Sequence, residues 1–355
     1  MADFTIGPWS LVSAHLLSAG TAAYALFAAG HTRRGFRQHL ADRWSSLGTT
    51  LCLVAIAILL WTVGPRVLPS PSAPSLLAVL VGSAMLALGY TALRLQRVLD
   101  RIRAHLPPIP VTADEEARRK TPHLMMGLIT LYYVGLGTLL MTGLALTRLA
   151  DTQEAYPNLV AARDAPVWVA GHLLGLWWVL FLLYALLPVE LIRLRAPDAP
   201  FPFKRTILSR LRSHEAGLLG AHVHMTAGLA TAWLLVAPDP TTWSRDVPAC
   251  LAILVVTVFA DSASALAGRR WGRTKWFHNP NKSYLGSAAG TFVAFAVTVP
   301  LVGPAVAVLC AAVFLTMDVL GPVPFPVSDN LLNPLGLAVV LMVVRDAIHP
   351  LIPGF

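Results

Sequence analysis

The chain has 355 residues, of which 56% are apolar and 13% charged, with a net charge of +9 and a mean hydropathy of +0.64. That composition excludes a water-soluble protein and specifies a polytopic membrane protein. The positive charge is spread along one membrane face, which suits anionic headgroups and soluble phosphates and argues against nucleic acid as a partner.

Crossing about 30 Å of hydrocarbon takes near twenty apolar residues at helical rise. Stretches of that kind fall near 8–30, 46–64, 73–93, 122–147, 166–188, 217–236, 247–267, 284–302, 304–320 and 331–349. The expected fold is therefore an all-α integral membrane helix bundle of about ten transmembrane helices. Pro300, Pro304 and Pro334 shorten or interrupt the last three, a pattern of broken helices that line a cavity. The first stretch lacks a basic n-region and a clear cleavage site, so it reads as a retained span. Leu68 to Pro74 is a Pro/Ser linker. Cys52, Cys250 and Cys310 all fall in expected helices, which supports neither a disulfide framework nor a thiolate metal site.

Alternate loops, 31–45, 92–121, 189–216 and 268–283, carry 22 of the 27 Lys and Arg residues. The positive-inside rule then puts those loops in the cytoplasm and both termini outside, as in a bacterial-type inner (plasma) membrane. On this topology the unusual polar residues gather at one level. Arg118, Arg119, Lys120 and His123 enter the fourth span, and Glu190 and Arg193 leave the fifth. Glu215 precedes the sixth, Asp261 lies in the inner half of the seventh, Lys282 and Ser283 precede the eighth, and Asp329 and Asn330 precede the tenth.

Asp261 stands out, because it follows the apolar run Leu251 to Ala260 and opens a small-residue helix and a basic loop. An ionisable group at membrane depth is by default a functional-site hypothesis. Phosphoryl transfer to a lipid at such a layer needs cations and backbone donors for phosphates, oxygen ligands for a divalent ion, and a base near the acceptor hydroxyl. Asp261 and Asp329 can supply the oxygens, while Lys282, Arg269 and Arg270 can face the phosphates. Gly268, Gly272 and Gly286 allow close backbone approach, and Ser283, Asn281 and Asn330 offer neutral hydrogen bonds. No glycine directly precedes Lys282, so a Walker A loop is excluded. Topogenic charge alone also accounts for Arg269 and Arg270, and the small residues from Ser262 to Gly268 also suit close helix packing. Asp261 and Asp329 are required by neither.

From about Glu115 to the C-terminus the chain resembles the CTP-dependent lipid kinases (dolichol kinase, phytol kinase and CTP-dependent diacylglycerol kinase), distant relatives of phosphatidate cytidylyltransferase. A block of the type E-x-x-RK-x-x-H is similar to Glu116 to His123, E-x-x-R to Glu190 to Arg193, and R-x-x-E to Arg212 to Glu215. The pattern D-[ST]-x-[AS]-x-x-x-G-[RK]-x-x-G with KS-x-x-GS resembles Asp261 to Gly272 and Lys282 to Ser287. D-D-N-x-x-x-P resembles Ser328-Asp329-Asn330 with Pro334. Ala260, Leu285 and Ser328 stand where that family usually has Gly, Glu and Asp.

The resemblance implies a cytoplasm-facing site that moves phosphate from CTP, with Mg2+ or another divalent cation, to a long-chain alcohol or diacylglycerol. It implies that Asp261, Lys282, Ser283, Asp329 and Asn330 form the nucleotide and metal region, completed by Lys120, His123, Arg193 and Glu215. Asp261 or Glu215 would accept the alcohol proton. Residues 1–112 lack these blocks and are expected to be an appended membrane module beside a kinase-like domain over 113–355. Two alternatives share the motifs: cytidylyl transfer to a lipid phosphate, and a lipid- or nucleotide-binding protein without turnover. The oligomeric state is not legible.

Overall fold

The computed structural model describes residues 8–40, 43–67, 120–121, 124–132, 134–135, 139, 168–195, 217–237, 243–321 and 326–348. The expected span at 73–93 and part of that at 122–147 lie outside them. Among the described residues the chain is helical and has no strand, only an isolated bridge between Lys275 and Ser283.

Helix α1 (Pro8–Arg37) packs along α2 (Arg43–Thr62) through a seam of small residues. Ala14, Ser18, Thr21, Ala25, Ala28 and Thr32 alternate at four- and three-residue spacing and all are buried, the periodicity that keeps one stripe facing a neighbouring helix. Polar atoms on the seam are satisfied: Ser18 Oγ donates to the Ala57 carbonyl at 2.7 Å, and the Thr32 and Thr50 hydroxyls lie 3.1 Å apart. A short helix, α3 (Gly64–Val67), follows, and α4 (Trp168–Arg195) continues the described bundle.

At the centre stands α5 (Ala221–Val236), buried around nearly its whole circumference and packed against α2, α4, α6 (Trp243–Val255) and α9 (Asp329–Ile348). The Thr49 hydroxyl meets His224 Nδ1 at 2.6 Å, and the Trp233 indole donates to the Cys250 carbonyl at 2.7 Å. Residues from Ala14 to Leu341 belong to one apolar core, so the described part of the N-terminal segment is built into the same bundle as the rest. Ser45 at the start of α2 even accepts the Ser328 N–H at 3.0 Å.

Helix α6 passes through a π-helical turn (Val256–Ala260) into α7 (Asp261–Arg270). Then comes α8 (Tyr284–Leu320), whose halves meet at Gly303, with φ 75° and ψ 163°. Residues 287 and 318 would lie about 46 Å apart in a straight helix. Their side chains are hydrogen-bonded at 2.7 Å, so the two halves fold back on each other. Gly303 sits between Pro300 and Pro304, at the boundary expected between the spans 284–302 and 304–320.

Three helical segments are long and apolar enough to cross a membrane: Arg43–Thr62, Asp246–Arg270 and Tyr284–Leu320. The apolar α5 is shorter. Large apolar side chains such as Leu51, Ile58, Phe292 and Val308 point outward, where a bilayer would cover them. At one end of the bundle Arg345 donates to the Val236 carbonyl at 2.8 Å and lies 3.5 Å from Asp246. The opposite end holds the polar residues described next.

Candidate functional site

A π-helical turn accommodates one residue more than a regular α-turn and often marks a functional position. Here it ends at Ala260, directly before Asp261. Gly127, on the helical segment 124–132, leaves room for Val258 of that turn, which brings the start of the segment beside Asp261. The Lys120 ammonium donates to Asp261 Oδ2 in an ion pair with both residues 3% exposed.

One turn further along α7, Ser264 points to Asp318 on the returning half of α8. The Ser264 hydroxyl lies 3.2 Å from both carboxylate oxygens, and the Ser287 hydroxyl donates to Oδ2 at 2.7 Å. Lys282 joins these elements to α9, donating to Asp318 Oδ1 at 2.6 Å and to Asp329 Oδ2 at 2.7 Å. Asp318 is fully buried, whereas the Asp329 side chain keeps 19% exposure. Burial disfavours the Lys282 charge, but Asp329, Asp318 and Asp261 together outweigh it and hold the ammonium above the ordinary lysine range.

The loop carrying Lys282 is fixed by backbone and side-chain bonds. Trp276 N–H donates to the Lys282 carbonyl at 3.1 Å, and Tyr284 N–H to the Thr274 carbonyl at 3.1 Å. Buried Asn279 donates to the Val319 and Gly321 carbonyls at 3.3 and 3.1 Å, tying the loop to the end of α8. The Trp276 indole donates to Ser287 at 3.1 Å.

Packing explains the spacing of glycines and serines on α7 and α8 without a ligand. A Cβ on Gly286 would lie 2.7 Å from the Ser264 carbonyl oxygen and 2.9 Å from Gly268 Cα, and one on Gly290 would lie 2.8 Å from Ser264 Cβ. This is a small-residue crossing in which two helix backbones touch. Gly272 is likewise filled by Ser283. Ser283 caps α8, accepting the Gly286 N–H at 3.1 Å.

The other expected residues divide. Asn330 joins the cluster at the start of α9: its N–H donates to Asp329 Oδ1 at 2.9 Å, and its side-chain oxygen is buried without a hydrogen-bond partner. The Ser262 hydroxyl, on the turn of Asp261, is also buried without one. Arg269 and Arg270 are exposed at the end of α7, with Arg270 over the Trp271 ring at 5.4 Å. Arg193 belongs to a second buried cluster. It forms a two-pronged pair with Glu190 and donates to the Leu218 carbonyl, while Glu190 also accepts the Gly220 N–H at 3.2 Å and lies 3.1 Å from His222 Nε2. That cluster fastens α4 to the start of α5. His123 and Glu215 lie outside the described residues.

Asp318, Ser264, Ser287 and Asn279 were not among the residues expected from sequence. The signal for Asp318 was present, a single acid in the apolar stretch 304–320. Among the described residues, no three His, Cys, Asp or Glu side chains form a ready metal-ligand set. Comparison of the chain with protein-family models, curated proteins and solved structures returned no match.

Proposed function

We propose that the chain transfers a phosphoryl group from a nucleoside triphosphate to the hydroxyl of a membrane lipid alcohol, at the cytoplasmic face of the membrane. The observation that carries this reading is Lys282 held between Asp318 and Asp329, one helical turn from the buried Lys120–Asp261 pair, at the end of membrane-length helices. The motif order from Glu116 to Pro334 supports CTP as donor and a polyprenol, phytol-like isoprenoid or diacylglycerol as acceptor.

Two ammonium groups face three carboxylates in this cluster, so its balance favours adding a cation. Mg2+ is commonly held by one or two carboxylates, with phosphate oxygens and waters completing its shell. The partly open Asp329 carboxylate and the unpartnered Asn330 oxygen fit that demand, and Asp329, Asn330 and Asp318 would hold the ion. When bound, it would neutralise charge on the transferring phosphate.

Lys282 and Lys120 bind the donor's phosphate oxygens, exchanging part of their carboxylate contacts for the nucleotide. Asp261, held in place by its hydrogen bond from Lys120, accepts the alcohol proton as the alcohol oxygen attacks the γ-phosphorus. The bond from phosphorus to the β-phosphate oxygen breaks, and the nucleoside diphosphate leaves. The buried setting excludes water that would otherwise compete as acceptor.

Ser328 favours a second reading, a member that binds without turnover. Its hydroxyl accepts the Asn330 N–H at 3.3 Å, a capping role that Asp would fill equally well, so the fold is kept where a carboxylate is lost. Product analysis separates the possibilities. Lipid monophosphate with CDP supports kinase action, CDP-lipid with pyrophosphate supports cytidylyl transfer, and neither product supports binding alone.

A further inference from the structure

A cavity of about 390 Å³ opens between the basic ends of α1 and α4, away from the Lys282 cluster and unused by the proposed reaction. The two helices run side by side in the same direction. The Thr21 and Tyr184 hydroxyls are hydrogen-bonded, and further toward the C-terminal end of both helices, about three turns along α4 and under two along α1, the Arg195 guanidinium lies over the Phe27 ring at 5.4 Å. Between these points the wall is apolar, made by Leu26, Phe27 and Leu194, and the mouth is basic, with Arg34 and Arg195 both exposed.

Three features point to an anion. Arg34 donates to the neutral Gln38 side chain at 3.3 Å, and among the described residues neither Arg34 nor Arg195 pairs with a carboxylate. The nearby carboxylate, Glu190, is already matched to Arg193. His31, lining the cavity at 7% exposure, adds an imidazole and no carboxylate to its wall.

We propose that this cavity binds the phosphate headgroup of an anionic membrane lipid, with one chain lying along Leu26, Phe27 and Leu194. Guanidinium forks match phosphate oxygens in a bidentate way, and the volume falls in the range of small-molecule sites. The apolar wall distinguishes a lipid from free phosphate, which would leave that wall uncovered. The site is independent of the phosphoryl-transfer reading and assigns a ligand to the N-terminal helix.

The test uses the full chain, delipidated in a neutral detergent and titrated with short-chain phosphatidylglycerol, short-chain phosphatidylcholine and inorganic phosphate, with binding read by native mass spectrometry and thermophoresis. Phosphatidylglycerol should bind saturably, and Arg34→Gln/Arg195→Gln should weaken it about tenfold or more. Gly30 also lines the cavity, and a Cβ added there meets nothing within 4 Å. Gly30→Leu should therefore fill the cavity and abolish binding without lowering the thermal midpoint, which keeps the test independent of the charge variants. Equal binding of phosphatidylcholine, equal binding of inorganic phosphate, or undiminished binding by both variants would overturn the proposal.

Discussion

Lys282 holds two carboxylates that differ in what they lose without it. Asp318 is fully buried, with only Ser264 and Ser287 left as partners, whereas Asp329 is partly exposed and also accepts the Asn330 N–H. Removing one partner of a buried pair costs roughly 3–5 kcal/mol, because the remaining charge stays uncompensated. Lys282→Met should therefore lower the thermal midpoint sharply and abolish turnover. Asp329→Asn should cost about 1 kcal/mol and act mainly on turnover. A pH series gives a further check. With its pKa held above the ordinary value, Lys282 contributes its full stabilisation below about pH 10.4, the unfolded value, and loses it only as pH rises through the higher folded one. Between pH 6 and 9 the stability difference between wild type and Lys282→Met should stay constant. The Lys120–Asp261 pair separates folding from chemistry. Lys120→Met alone should destabilise strongly, while Lys120→Met/Asp261→Asn should recover much of the stability and none of the turnover, as read by thermal unfolding and product formation. Asp261, Lys282 and Asp329 were legible because acids or a lysine at membrane level demand partners. Asp318 obeys the same logic, but its contacts lie 31 to 54 residues away, and no local spacing reveals them.

At the scale of elements, the site depends on two backbone irregularities and one crossing. The π-helical turn from Val256 to Ala260 sets the rotation of α7, so it decides whether Asp261 and Ser264 face Lys120 and Asp318. Nothing in the apolar sequence Val256-Thr-Val-Phe-Ala260 announces that turn. The reversal at Gly303 was more legible, because Pro300 and Pro304 bracket it. Its φ of 75° with ψ of 163° is a region that only glycine occupies readily, so Gly303→Ala should cost about 1–3 kcal/mol. Gly286→Val should cost more, since its side chain meets the Ser264 carbonyl and Gly268 backbone. Gly20→Ala, where an added Cβ meets nothing within 4 Å, should be neutral or slightly stabilising in the same unfolding assay. The glycines first considered for phosphate approach thus have a packing role that positions the carboxylates. Arg193 shows the converse limit: E-x-x-R spacing identified a real pair, but its geometry joins α4 to α5.

For the whole molecule, hydropathy and charge gave the class, and three membrane-length apolar helices agree with it. The number of spans and the orientation rest on the alternation of basic loops, because the loops at 92–119 and 196–216 lie outside the described residues. The sequence suggested an appended module before residue 113; in that part α1 and α2 share the central core, and Ser45 accepts the backbone N–H of Ser328 beside the candidate site. Those contacts were not legible, since small-residue seams and single hydroxyl-to-backbone bonds carry little sequence signature. The charged cluster lies where a small-residue helix crossing meets an apolar bundle, and on the proposed reading a charged donor and an oily acceptor meet there. The most direct measurement is transfer of label from γ-labelled CTP, with magnesium, to the lipid phase by purified full-length protein given phytol, farnesol, a polyprenol or diacylglycerol. CTP-dependent labelling of one alcohol, absent in Asp261→Asn/Lys120→Met, is the result expected. No labelling of any acceptor by stably folded wild type, under conditions in which a known lipid kinase is active, would contradict the account.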